Sequence, residues 1–100
     1  MDTDRIKEKL DPFAAVKRMA AEGIDFSAFC RDDNSFWDGR WTMDLGSGAT
    51  LLLVKCKQDS GWVAVIKRLG EPAGSDGFQK TPEKALAESL KEADRIFGGL

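Results

Sequence analysis

The sequence predicts an α+β domain in which helices pack on one face of a three-stranded antiparallel sheet, in the order α-β-β-β-α. Two stretches, opening at Asp11-Pro12 and at Thr81-Pro82, carry apolar residues at helical spacing behind a capping residue and a proline. Between them lie three consecutive stretches of alternating apolar and polar residues. Short runs of turn-forming residues separate these stretches, which suits hairpins rather than crossover connections. The chain has 100 residues, 42% of them hydrophobic and 32% charged, enough for one modest core and for a single domain over 1–100.

Residues 4–10 suit a loose helical turn with Ile6 and Leu10 on one side. The first clear helix starts at Asp11-Pro12, where Asp caps free N–H groups and Pro is pre-set for the first helical position. Phe13, Val16 and Ala20 form its apolar stripe. Gly23 ends it, with Ile24 folding back on Met19. Residues 25–31 suit a short extra helix capped by Asp25, with Ile24 stapled to Phe29. The alternation Ile24, Phe26, Ala28, Cys30 suits a strand as well, and the helix is the preferred reading. Asp32-Asp33-Asn34-Ser35 reads as a loop by composition.

The strands are expected near 39–45, 50–57 and 62–69. A two-residue Gly46-Ser47 turn between the first two places Trp41 opposite Leu52. A Gln58-Asp59-Ser60-Gly61 turn pairs Cys56 with Ala64, Lys55 with Val65 and Val54 with Ile66. One face then carries Trp41, Met43, Leu45, Leu52, Val54, Cys56, Ala64 and Ile66, the expected core. The other carries Leu51, Leu53, Val63, Val65 and Leu69 among Lys55, Lys57 and Lys67. Residues 70–80 read as a flexible loop rich in turn residues. Thr81-Pro82 opens the last helix, whose stripe is Leu86, Leu90, Ala93 and Phe97 with Ile96 beside it, and Gly98-Gly99 stops it.

The net charge of −2 gives no concentrated basic footprint for a polyanion. Its distribution is uneven. Residues 22–38 hold Glu22, Asp25, Asp32, Asp33 and Asp38 against Arg31, and residues 50–70 hold Lys55, Lys57, Lys67 and Arg68 against Asp59. Cys30 and Cys56 lack Cys-x-x-Cys spacing and are expected to be buried, reduced and unpaired in a cytoplasmic protein. No secretory leader is read at Met1-Asp2-Thr3-Asp4, and the apolar run Ala49 to Val54 is too short to cross a bilayer. There is no histidine, which removes the commonest general base and the commonest metal ligand. Ser47, Ser60 and Ser75 therefore lack that activating partner. Gly46-Ser47-Gly48 is followed by a strand, not by the helix that a phosphate cradle needs. No catalytic, metal or cofactor site is expected, and the chain reads as a non-enzyme.

Two features point to binding. The stretch Arg31-Asp32-Asp33-Asn34-Ser35-Phe36-Trp37-Asp38-Gly39 sets two aromatics among carboxylates. Phe36 and Trp37 stand where a calcium loop needs oxygens, so an interaction loop is the functional reading. The sheet face with Lys55, Lys57 and Lys67 mixes aliphatic and basic residues, the character of an interaction surface. Asp32, Asp33, Phe36, Trp37, Lys55, Lys57 and Lys67 are thus the expected partner-binding residues. A protein is the expected partner, a nucleic acid gripped by the lysines the alternative, and a small enzyme subunit the third reading. Trp41 is expected in the core and Trp37 in a surface loop.

The α-β-β-β-α order resembles the double-stranded-RNA-binding domain. That family opens its last helix with phosphate-gripping lysines. Here the matching stretch is Thr81-Pro82-Glu83-Lys84-Ala85-Leu86-Ala87-Glu88, so the likeness lies in element order rather than in the RNA grip. The C-terminal third, with Trp62-Val63-Ala64-Val65 before Thr81-Pro82-Glu83-Lys84-Ala85-Leu86, resembles small phage and prophage accessory proteins. That resemblance implies a stoichiometric binder, such as an anti-CRISPR-type inhibitor of a host defence complex.

Overall fold

The computed structural model of the chain describes residues 13–32, 37–57, 61–75 and 77–98, with residues 37 and 38 described by backbone alone. The expected turn at 4–10, the Asp11-Pro12 cap, and the residues Asp33 and Phe36 lie outside the described residues.

Helix α1 spans Ala14–Glu22 and helix α2 spans Pro82–Phe97, with a 3₁₀ turn at Phe26–Ala28. Five strands follow one another in a meander: β1 Cys30–Asp32, β2 Trp37–Gly46, β3 Ala49–Cys56, β4 Trp62–Arg68 and β5 Glu71–Gly74. Every neighbouring pair is antiparallel. The α+β class and the two helices match expectation. The sheet has five strands rather than three, and this also departs from the order of the double-stranded-RNA-binding domain.

The helix ends follow their local chemistry. Thr81 Oγ1 accepts the Lys84 N–H at 3.2 Å and Pro82 takes the first turn of α2. Asp25 Oδ1 accepts from the Ser27 hydroxyl and N–H, which holds the Asp25 carboxyl below its ordinary pKa. Residues 25–31 thus divide between the two readings: a capped single turn, then a strand from Cys30. α1 packs on α2, and α2 lies against β4 and β5. Phe13, at the start of α1, is buried and stacks on Phe97, at the end of α2, with ring centroids 6.2 Å apart.

The core lies between these helices and one sheet face. Val16, Met19, Leu86 and Ala93 meet Leu51, Leu53, Ala64, Ile66 and Ala73 there. The helical stripe also includes Ala85 and Ser89, both fully buried. Ser89 Oγ donates to the Ala73 carbonyl at 2.7 Å, tying α2 to the edge strand and satisfying a polar group that burial would otherwise penalise.

Two corrections concern the ladder. Trp41 pairs with Leu53, Thr42 with Leu52 and Met43 with Leu51. Leu53 in turn pairs with Ala64, and Leu51 with Ile66. The core face of β3 is therefore Leu51 and Leu53, and not Leu52, Val54 and Cys56. The β3–β4 register differs as well: Ala64, Val65 and Ile66 pair with Leu53, Leu52 and Leu51, and not with Cys56, Lys55 and Val54 as expected. At β2–β3 the cause is the turn. Gly46, Ser47 and Gly48 all have positive φ, at 81°, 52° and 77°. The turn is Ser47-Gly48, with both φ values in the left-handed region that matches strand twist, and Leu45 is the bulged residue before it. The shift moves every β3 side chain to the other face. Cys30 is exposed and Cys56 half-buried, both as free thiols, so neither is the fully buried residue expected.

The second correction is β5. Residues 71–74 are a strand rather than part of a flexible loop, and Gln79 bridges back to Trp62. Pro72 has no N–H to give a ladder, but β5 is an edge strand where none is needed. Likewise, Trp37 begins β2 and does not sit in a loop.

The β4–β5 turn carries a residue in an unfavourable conformation. Leu69 has φ 50° and is 82% exposed, so strain there is offset by little burial. Leu69→Asn is expected to raise the urea midpoint at unchanged slope, by roughly 0.5–1 kcal/mol of stability. A lower midpoint would show that the leucine makes a contact worth more than its strain.

Candidate functional site

The backbone register gathers part of the expected binding set at one end of the sheet. Trp37 pairs with Cys56, Gly39 with Lys55, and Lys55 with Trp62. β1 ends and β2 begins at this end, and Lys57 stands exposed in the turn after β3. Trp37, Lys55 and Lys57 are therefore neighbours in the architecture, and Asp32 closes β1 nearby, paired with Arg40. Lys67 does not join them. It pairs with Thr50, at the far end of the sheet and on the opposite face from Lys55. The three lysines do not form the shared basic face expected of them.

Aromatic rings fill this end of the helix-side face. Trp41 and Trp62 lie with centroids 5.4 Å apart, and Phe26 of the 3₁₀ turn closes over both, at 5.1 and 5.8 Å. Phe29, buried, extends the group behind Phe26 at 6.2 Å. All three rings of the inner group stay half-buried, so Trp41 packs against the core without being enclosed by it. Two cations sit on them: the Arg31 guanidinium is 5.5 Å from the Trp41 ring and the Lys55 ammonium 5.9 Å from the Trp62 ring. Each such contact contributes about 0.5–1 kcal/mol where water has access.

Gly39 makes this cluster possible. It precedes Trp41 by two residues on the same strand face, and a Cβ there would sit 2.2 Å from Trp41 Cη2. The indole lies flat across the glycine and reaches toward Trp62 over the intervening strand. Phe26, Arg31 and Trp62 were not among the expected site residues. The Gly39-x-Trp41 spacing was the available signal, since an aromatic lying over a strand glycine is a recurrent device.

The opposite face of the sheet carries a second feature, a groove of about 470 Å³ lined by Cys30, Arg40, Thr42, Thr50, Leu52 and Lys67, among others. Arg40 Nη1 lies 3.8 Å from Asp32 Oδ2, too far for a hydrogen bond, and Arg40 Nε is buried with no acceptor among the described residues.

Chemically, the aromatic end can hold apolar and anionic surface together. No group of acidic or thiol side chains that could hold a metal ion occurs among the described residues. No helix among them is long and apolar enough to cross a membrane. Compared with protein-family models, curated proteins and solved structures, the chain matches none.

Proposed function

We propose that the chain is a non-enzymatic binding protein that engages another protein through the aromatic and cationic end of its sheet. The observation that carries this reading is the half-buried triad Phe26, Trp41 and Trp62 with Arg31 and Lys55 over its rings. Trp and Arg are enriched among the few residues that dominate interface energies, and rigid rings lose little conformational entropy on binding. Lys57 beside them favours a partner surface that is apolar at its centre and acidic at its rim.

The finer reading is a stoichiometric inhibitor of the phage-encoded, anti-CRISPR type, acting in the cytoplasm. The resemblance of Trp62-Val63-Ala64-Val65, at the start of β4, and of Thr81-Pro82, at the start of α2, to such proteins supports it. A nucleic-acid module is the weaker alternative, because Lys67 is separated from Lys55 and Lys57.

Affinity capture with the immobilised chain tests this. A host protein is expected to be retained one-to-one, to resist nuclease, and to be lost when Lys55 and Lys57 are both reversed to Glu. The double variant should unfold within about 0.5–1 kcal/mol of the parent, the range of surface changes plus one lost cation–π contact. Retention abolished by nuclease, or binding of a labelled duplex RNA that weakens steeply with salt, would replace this reading with the nucleic-acid one.

A further inference from the structure

Two rungs of the sheet's outer face, remote from the aromatic end's rings, bear a self-complementary pattern. Asp44 of β2 and Lys67 of β4 both pair with Thr50 of β3. They flank β3 on one rung and on one face, about 5 Å to either side of it, with opposite charge. On the next rung of that face, Thr42 and Val65 flank Leu52 in the same way. Neither described helix covers this face, since both pack against the Leu51–Leu53 side. Leu52 and Val65 are only half-buried.

We propose that this face binds a second copy of the chain, around a two-fold axis running along β3. Rotation by 180° about that axis lays Asp44 of each copy against Lys67 of the other, and does so twice. It also brings Leu52 onto Leu52 of the second copy, and Thr42 onto Val65 of the second copy. Such an interface is isologous, the form that closes at two subunits, and it stacks two sheets in the aligned manner of β-sandwiches, about 10 Å apart. The charged groups are available for it. Asp44 Oδ1 accepts the Gly46 N–H at 2.9 Å, leaving Oδ2 to receive an ammonium. Lys67 is exposed, and its ammonium has no hydrogen bond or ion pair among the described residues. A foreign acidic partner would leave Asp44 facing like charge, whereas a second copy satisfies both signs at once. This interface is distinct from the proposed partner-binding end, so both can be occupied together.

Sedimentation velocity over a concentration series tests the proposal. The wild-type chain is expected to sediment as a dimer. Asp44→Lys and Lys67→Asp should each weaken association by about tenfold or more, since each sets like charges opposite one another twice. The double variant Asp44→Lys/Lys67→Asp should restore it. Cross-linking provides a second measurement that does not depend on those variants. In a Cys30→Ser/Cys56→Ser background, Thr50→Cys lies beside the axis and should join its own copy through a short bismaleimide, whereas Lys57→Cys should not. A wild-type chain monomeric throughout the series overturns the proposal. So does a dimer indifferent to the charge variants, which uses another surface. A dimer that responds to Asp44 and Arg40 but not to Lys67 overturns it too, because it has its axis across the strands.

Discussion

Leu53→Ala is expected to destabilise the chain by about 2–5 kcal/mol, while Leu52→Ala costs less than half as much. The two residues are adjacent and chemically identical, so the contrast isolates the face each occupies. Leu53 is 0% exposed between Trp41 and Ala64 on the side the helices cover. Truncating it leaves a cavity beside Ala64, which has little side chain to extend, while the ladder holds the strands apart. Leu52 is half-buried on the outer face, where in the monomer, at concentrations below those of self-association, water fills any gap. Because total stability of such a domain is about 5–15 kcal/mol, the Leu53 variant loses a large share of it. Urea denaturation at one fixed protein concentration measures both. Equal losses, or a larger loss at Leu52, would show that the ladder has the Gly46-Ser47 turn and the opposite face of β3 inward.

That contrast also marks where the sequence is legible. Elements whose ends rest on local chemistry were readable. The Thr81 cap and Pro82 open α2, Gly98 closes it at a positive φ, and Asp25 caps a turn. Trp41, Met43, Ala64 and Ile66 were placed on the core face, and they are there. Between them, β3 is apolar on both faces, with Leu51, Leu52, Leu53 and Val54 in a row. Period-two patterning therefore carries no information about which way it faces, and the decision passes to the turns at its two ends. Gly46-Ser47-Gly48 offers two glycine-flanked turns one residue apart. The chain uses the later one with a bulge at Leu45, which preserves Trp41 and Met43 while inverting β3.

The missed strands have a different cause. β1 and β5 are edge strands of three and four residues, and what makes them strands is the neighbour they pair with. Pro72 and Gly74 in β5 speak against a strand by local propensity alone. The candidate site was half legible for the same reason. Trp37, Lys55 and Lys57 were named from composition, but only the correct ladder joins them to Trp62 and separates them from Lys67.

Gly39→Ala is expected to cost about 1–3 kcal/mol and to break the aromatic cluster, although it adds one methyl group. The backbone at Gly39 does not have positive φ, so alanine meets no conformational barrier there. In an open strand position the change would even favour folding by roughly 0.5–1 kcal/mol, because glycine loses more freedom on ordering. The penalty comes from Trp41 alone. The new Cβ would lie 2.2, 2.6 and 2.9 Å from three indole carbons. A free indole would swing aside at little cost, but this one is held by Phe26 at 5.1 Å, by Trp62 at 5.4 Å and by Arg31 above it. Displacing it disrupts those contacts together, with losses of about 0.5–1.5 kcal/mol for each ring pair. A double-mutant cycle separates this account from generic strand damage. In a Trp41→Ala background, Gly39→Ala should become neutral or stabilising, giving a coupling energy about as large as the single penalty. Near-UV circular dichroism should lose the Trp41–Trp62 signal in Gly39→Ala while the far-UV spectrum is kept. If the penalty persists without Trp41, Gly39 is required by the backbone and not by the indole, and the cluster's placement over the glycine would have to be abandoned.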